Sequence, residues 1–321
     1  MNSPSHQATQ PRPDQPPSPE PRPPGPRSAD AAPAEPDLSE DCWRLDPGEP
    51  LLPGLLAWTQ LGDGVRRETW LAWSTRHWLA VAVKLPRPGL IHDARLRGTL
   101  RREARLMRQI DHPAFQRLLY DGSGEPVPHL VLEYVEGPSL DVVLDDGSLS
   151  PPDVVLLGLH LSAALHYLHG SGLVHRDLKP ENLVLREGWP VILDLGLAQP
   201  AGTPAKPGPP QGTDGYRAPE QERGDPASPA MDLYAAGVVL IEAATGEPDG
   251  DLSGLPPELA SLLQELVHPL AGRRPASAAA LLARLRAVLP EDGVTPWPAW
   301  VDGELPHLNG ARCTLDLAGE L

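Results

Sequence analysis

The sequence predicts an α+β protein of two lobes, a small sheet-rich half followed by a larger helical half, with a cleft between them. Three observations lead there. Short runs with β character, TWLAW (69–73), LAVAVKL (79–85) and HLVLEYV (129–135), all fall early in the chain. A helical stretch, ARLRGTLRREARLMRQI (94–110), separates the last two. After residue 150 the pattern turns helical, in PPDVVLLGLHLSAALHYLHG, LYAAGVVLIEAATG (233–246) and ASAAALLARLRAVL (276–289). No internal repeat is present.

The flanks differ from this middle. Of 42 prolines, 14 fall in residues 1–50. Proline fixes its own φ and has no amide donor, and apolar residues are scarce before Leu38. Residues 1–50 are therefore expected to form a disordered tail with polyproline II character. Its P-x-x-P spacings suit a proline-reading module, although a solvated tail explains them as well. Residues 290–321, with Trp297 and Trp300, read as an irregular tail.

Charge and composition exclude several classes. With 27 basic and 43 acidic side chains the net charge is −16, which repels nucleic-acid phosphates. The only cysteines, Cys42 and Cys313, have no metal-ligand spacing and suit a reducing compartment. Residues 1–30 lack the apolar core of a signal peptide. The run 233–246 is too short to span a bilayer and carries Glu242, so a cytoplasmic protein without membrane contact is expected.

The elements of the small half then follow in order. Residues 61–70, LGDGVRRETW, open on Gly62-Asp63-Gly64. By itself this is compatible with a phosphate cradle or a surface turn. In VAVK (81–84), strand alternation puts Ala82 and Lys84 on one face. On the next helix Leu96, Leu100, Met107 and Ile110 share a face, with Glu103 in the middle of the stripe. A carboxylate there is costly unless it is paired.

Residues 174–185 read VHRDLKPENLVL, and 191–198 read VILDLGLA. Here the sequence resembles the eukaryotic-like protein serine/threonine kinases, whose catalytic loop is H-R-D-L-x-x-x-N. His175, Arg176, Asp177, Leu178 and Asn182 match it. The resemblance implies a bilobal protein kinase-like fold over 51–289, with a small lobe at 51–132, a hinge at 133–137 and a large lobe at 138–289. It implies ATP and Mg2+, with Mn2+ as an alternative, and protein substrates. Asp177 would orient an acceptor hydroxyl and take its proton, Lys179 would steady the phosphoryl group, and Asn182 and Asp194 would bind the metal. Lys179 also marks serine/threonine specificity.

Further residues acquire roles from the same resemblance. Lys84 would pair with Glu103 and reach the phosphates. Ala82 and Val184 would border the adenine, Leu132 would be the gatekeeper, and backbone groups of Glu133 and Val135 would bond the base. In GTDGYRAPE (212–220), Thr213 would bridge to Asp177 and Lys179, and Glu220 would pair with Arg274. Asp232 would hold the catalytic-loop backbone. Leu195 replaces the usual Phe before Gly196, with an expected packing loss of about 1 kcal/mol.

The resemblance also returns to LGDGVRRETW. Gly62 and Gly64 match the family's phosphate loop, Arg67 stands where a third glycine is usual, and Thr69 where Val is favoured. If that third position needs positive φ, a non-glycine costs about 1–2 kcal/mol, or about tenfold in nucleotide affinity. Arg66 and Arg67 either approach phosphate or face solvent. The expected function is an ATP-dependent protein serine/threonine kinase that autophosphorylates, with Thr203 as the modified residue meeting Arg176. The alternative is a pseudokinase scaffold with weakened nucleotide binding.

Overall fold

The structure is a computed structural model that describes residues 41–288. The proline-rich run before residue 41, and the 290–321 segment with Trp297, Trp300 and Cys313, lie outside the described residues.

The small lobe is a six-stranded antiparallel sheet in the order β1-β2-β3-β4-β6-β5. Its strands are β1 (Pro50–Leu52), β2 (Leu55–Asp63), β3 (Arg67–Ser74), β4 (Leu79–Pro86), β5 (Leu118–Gly122) and β6 (His129–Glu133). Alternation explains its two faces. On β3, Glu68, Trp70, Ala72 and Ser74 are buried while Arg67, Thr69, Leu71 and Trp73 are only partly so. Trp70 and Ala72 join Leu51, Leu52, Leu55, Val81, Val83 and Leu85 in one apolar cluster. Ala82 and Leu132 belong instead to the cluster that includes Leu100, Ala104 and Met107 of helix α1 (Ala94–Met107).

Helix α1 begins at Asp93, whose side chain accepts from the Arg95 and Leu96 amides at 2.8 and 2.9 Å. That is an N-cap that satisfies two otherwise orphaned donors. Leu96, Leu100, Glu103 and Met107 are buried together, while Ile110 lies past the helix end and packs beside the same core.

The folded small lobe starts earlier than the tail boundary expected at residue 50. Trp43 packs against the outer cluster, its indole donating to the Pro86 carbonyl at 2.9 Å. Its amide donates to Glu68 at 3.0 Å. Composition favoured a solvated tail here, but the tryptophan and the buried carboxylate fasten it. Cys42 beside it is a half-buried free thiol.

The large lobe contains α2 (Leu140–Asp145), α3 (Pro151–Gly170), α4 (Pro219–Glu222), α5 (Pro229–Thr245), α6 (Pro257–Leu266) and α7 (Ala278–Val288). Both α3 and α5 start with proline at a position where the missing amide costs nothing. Helix α5 stops at Gly246, a left-handed cap at φ 88°. Their buried residues form the bulk of the core. Two short ribbons lie on this lobe: β7 (Leu173–Val174) with β10 (Gln199–Pro200), and β8 (Leu183–Arg186) with β9 (Trp189–Ile192). Glu187 and Gly188 link β8 to β9 with φ of 49° and 83°, as a tight hairpin turn requires. No helix among the described residues is long and apolar enough to cross a membrane.

Candidate active site

Between the lobes lies a cavity of about 340 Å³. Gly62, Thr69, Ala82, Lys84, Leu132, Val135, Asn182, Val184 and Asp194 line it. These come from β2, β3 and β4, from β6 and the chain after it, and from the segment running from the catalytic loop to just past β9. Its apolar walls and polar end have the character of a ligand site.

At the polar end Lys84 joins two carboxylates. Its Nζ lies 2.7 Å from Glu103 Oε1 and 2.6 Å from Asp194 Oδ1. Glu103 is 1% exposed, so this ion pair removes a charge-burial penalty that the apolar stripe on α1 would otherwise carry. Asp194 follows β9 in a left-handed conformation, φ 51°. Such strain in a non-glycine residue persists only where the surroundings impose it. Burial alone would push the Asp194 carboxyl up. The Lys84 and Arg67 charges, with hydrogen bonds from Lys84 and the Gly196 amide, hold it well below the usual carboxylate range. It is an anion at neutral pH, although a third of its side chain remains accessible.

Below the cavity, the catalytic loop is held by Asp232 at the start of α5. Its carboxylate accepts from the His175 and Arg176 amides, both at 2.8 Å, and meets His169 Nε2 at 2.9 Å. Arg176 takes φ 71° to allow this. His175 Nε2 contacts the Leu193 carbonyl at 3.2 Å, which ties the loop to the residue before Asp194.

Asp177 Oδ1 accepts from both the Thr213 amide, at 3.0 Å, and its hydroxyl, at 2.9 Å. Asn182 Nδ2 donates to the Asp177 carbonyl at 2.9 Å. The expected bridge from Thr213 to Lys179 does not form; Lys179 turns to Glu181 at 3.6 Å. The flexible stem of lysine lets its ammonium take either partner. Glu220 and Arg274 form a buried two-pronged pair at 2.6 and 2.9 Å, and Leu195 is 2% exposed within the main core.

At the hinge, the Glu133 carbonyl accepts from Gln116 Nε2 at 2.8 Å, leaving one lone pair for a base. Gln116 also lines the cavity. No sequence pattern marked it, since it sits in irregular chain before β5. Thr203 lies away from the cavity lining, with its hydroxyl donating to the Pro200 carbonyl at 2.6 Å.

The glycine loop departs most from expectation. Arg67 is in extended β3 and is absent from the positive-φ residues, so the strain penalty expected of a non-glycine there does not arise. Neither arginine has solvent alone as its neighbour. Arg66 pairs with Asp93 at 2.7 Å, and Arg67 NH1 with Glu103 Oε2 at 3.0 Å. Gly64 remains essential: a Cβ there would sit 2.8 Å from the Arg67 carbonyl oxygen.

A family profile described as protein kinase domain matches residues 57–252. The chain belongs to the protein kinase family. This kinase domain is 36% identical over 204 residues to a probable serine/threonine-protein kinase PknB of Bifidobacterium longum, covering 59% of this chain and 29% of that one. It is 35% identical over 198 residues to the serine/threonine-protein kinase PknB of Mycolicibacterium smegmatis, covering 59% and 32%. To the PknB of Mycobacterium leprae it is 34% identical over 197 residues, with the same coverage. The chain therefore spans about a third of the length of these relatives or slightly less. Protein kinases use ATP and a divalent metal. The donors in this kinase cleft fit such an ion: both Asp194 and Asn182 line the cavity, Asn182 Nδ2 is spent on the Asp177 carbonyl, and a carboxylate and an amide oxygen are hard ligands. Among the described residues no group of three or more His, Cys, Asp or Glu could hold a metal. Phosphate oxygens and water would complete its shell.

Proposed function

We propose that the chain is an ATP- and magnesium-dependent protein serine/threonine kinase acting in the cytoplasm on protein hydroxyls, its own included. The observation that carries this reading is Lys84 Nζ within 2.7 Å of both Glu103 and Asp194 at the end of an apolar cavity. Ala82, Leu132 and Val184 offer the adenine an apolar slot, and Val135, which also lines it, would supply its amide to the base. Lys84, kept in place by Glu103, meets the phosphates. Asp194 and Asn182 would hold a magnesium ion, which would supply charge neutralisation at the phosphates.

Asp177 orients the acceptor. Thr213 occupies its Oδ1, leaving Oδ2 to accept the hydrogen bond from a serine or threonine hydroxyl. The hydroxyl oxygen bonds to the γ-phosphorus as the bond to ADP breaks, and its proton passes to Asp177. Lys179, held only by a long pair with Glu181, is available to the moving phosphoryl group. The unstrained Arg67 removes the main reason for a scaffold reading, and no observation favours one. The test is transfer of labelled phosphate from ATP to the protein itself and to generic substrates, beside Asp177→Asn. Loss in the variant by about a hundredfold or more is expected. Wild-type protein no better than the variant would refute the reading.

Regulation by a phosphate on Thr203 is part of the same proposal. Arg176 is buried with its Nε atom lacking a hydrogen bond. Arg102 depresses the Lys206 pKa most, followed by burial and Arg176, so these cations gather close to the segment that carries Thr203. A phosphate would relieve their repulsion. Mass spectrometry of active protein should find Thr203 modified, and Thr203→Ala should lower turnover. Full activity in that variant would remove Thr203 from the account.

A further inference from the structure

We propose that Arg67 is a positioning residue: it grips the second oxygen of Glu103 and thereby keeps α1 docked, in the absence of nucleotide, at the height Lys84 requires. The inference rests on the kinase reading only for its effect on turnover.

The geometry starts with strand alternation. Across the β3–β4 ladder Thr69 lies opposite Lys84, and Arg67 opposite Pro86. Residues 67 and 69 therefore share the face that bears Lys84, and a long side chain at 67 points towards α1. The Glu103 carboxylate is then divided, Oε1 to Lys84 at 2.7 Å and Oε2 to Arg67 at 3.0 Å. With no side-chain exposure at Glu103, removing either cation leaves an oxygen buried without a partner.

Room for the guanidinium comes from Gly196. A Cβ at that position would lie 3.2 and 3.3 Å from the two terminal nitrogens of Arg67. Two cations, Lys84 and Arg67, thus face two carboxylates, Glu103 and Asp194, and the cluster is neutral. Its neighbour Arg66 adds a second tie, to Asp93 at the N-terminus of α1. The loop that should cover the phosphates is fastened to the helix at its start and at its middle.

This gives a test whose sign decides. If Arg67 merely damages a glycine loop, restoring glycine improves the enzyme. If Arg67 positions α1, Arg67→Gly impairs it. We expect Arg67→Gly to speed amide exchange in residues 94–107 of nucleotide-free protein by about tenfold, with α3 unchanged as the control for global loosening. Turnover number should fall about tenfold, more than KM for ATP changes. Arg67→Lys, which keeps a cation for one oxygen, should recover part of both effects. Equal or higher kcat/KM in Arg67→Gly with unaltered α1 exchange would overturn the proposal. So would a rise in KM alone, which would mean that the guanidinium serves the nucleotide rather than the helix. Wild-type protein that transfers no phosphate would end the kinase reading and leave the exchange comparison to judge the clamp.

Discussion

The catalytic loop and the glycine loop are held in opposite ways. Under the cleft, backbone amides of His175 and Arg176 are bound by Asp232, which is 0% exposed. Over the cleft, Gly62 to Arg67 is held by arginine side chains: Arg66 on Asp93, Arg67 on Glu103, and Arg87 on Asp63 and the Gly64 carbonyl. The Arg66–Asp93 pair is exposed at 40% and 23% of its two side chains. A buried carboxylate accepting main-chain amides fixes a conformation at folding. Of the roof's ties only Arg66–Asp93 is accessible at both partners; such a pair contributes little and can exchange partners when a phosphate enters, whereas Glu103 and Arg87 are buried. The floor is fixed through main-chain amides, the roof through side chains.

Four experiments sharpen or break this contrast. The largest effect should come from Asp232→Ala, which orphans two buried amides and a contact to His169; about 3–5 kcal/mol of stability should be lost in denaturant unfolding. A loss below about 1 kcal/mol would make the floor no firmer than the roof. Next, Glu220→Ala should cost about 3 kcal/mol by leaving Arg274 buried without its partner, read from the unfolding midpoint. Third is pH. The Asp194 folded-state value lies below its ordinary 3.8, so its stabilising contribution is fully present above the carboxylate range and is lost progressively as pH falls from 3.8 towards the depressed value. The difference in unfolding midpoint between wild type and Asp194→Asn should be flat from about pH 8 to 5 and narrow below about pH 4. Narrowing near neutrality would contradict the ion pair. Smallest, Arg66→Ala should cost about 0.5 kcal/mol or less, and the cost should vanish in high salt as screening removes the pair.

Much of the floor was legible because VHRDLKPENLVL carries the catalytic residues within one stretch and the family resemblance named their remote partners Asp232 and Thr213. Strand and helix periods put Lys84 and Glu103 on inward faces. The roof was less legible because its partners are remote and the resemblance names none of them. Alternation from Thr69 places Arg67 on the cleft face, yet nothing near it names Glu103, 36 positions further on. Glu68 is similar: its burial follows from the same alternation, but its amide partner Trp43 lies in a segment whose composition argued for solvent. Gln116 carries no periodic signal at all. Asp93 caps α1, and nothing local to it names its partner Arg66. The penalty expected at Arg67 failed for a backbone reason: its extended φ is open to any residue.

The guanidinium of Arg87 has a wider reach than the loop. It also donates to the Asp41 carbonyl at 3.1 Å, while the Asp41 carboxylate takes the Gly89 amide at 2.6 Å. The stretch leading into the sheet and the lip above the cleft therefore share one anchor. Trimming the protein to begin after Leu45 would not be a neutral tidying of the terminus: it would remove the Asp41 arm of that anchor, with the Trp43 contacts to Pro86 and Glu68, and slacken the lip over the cleft.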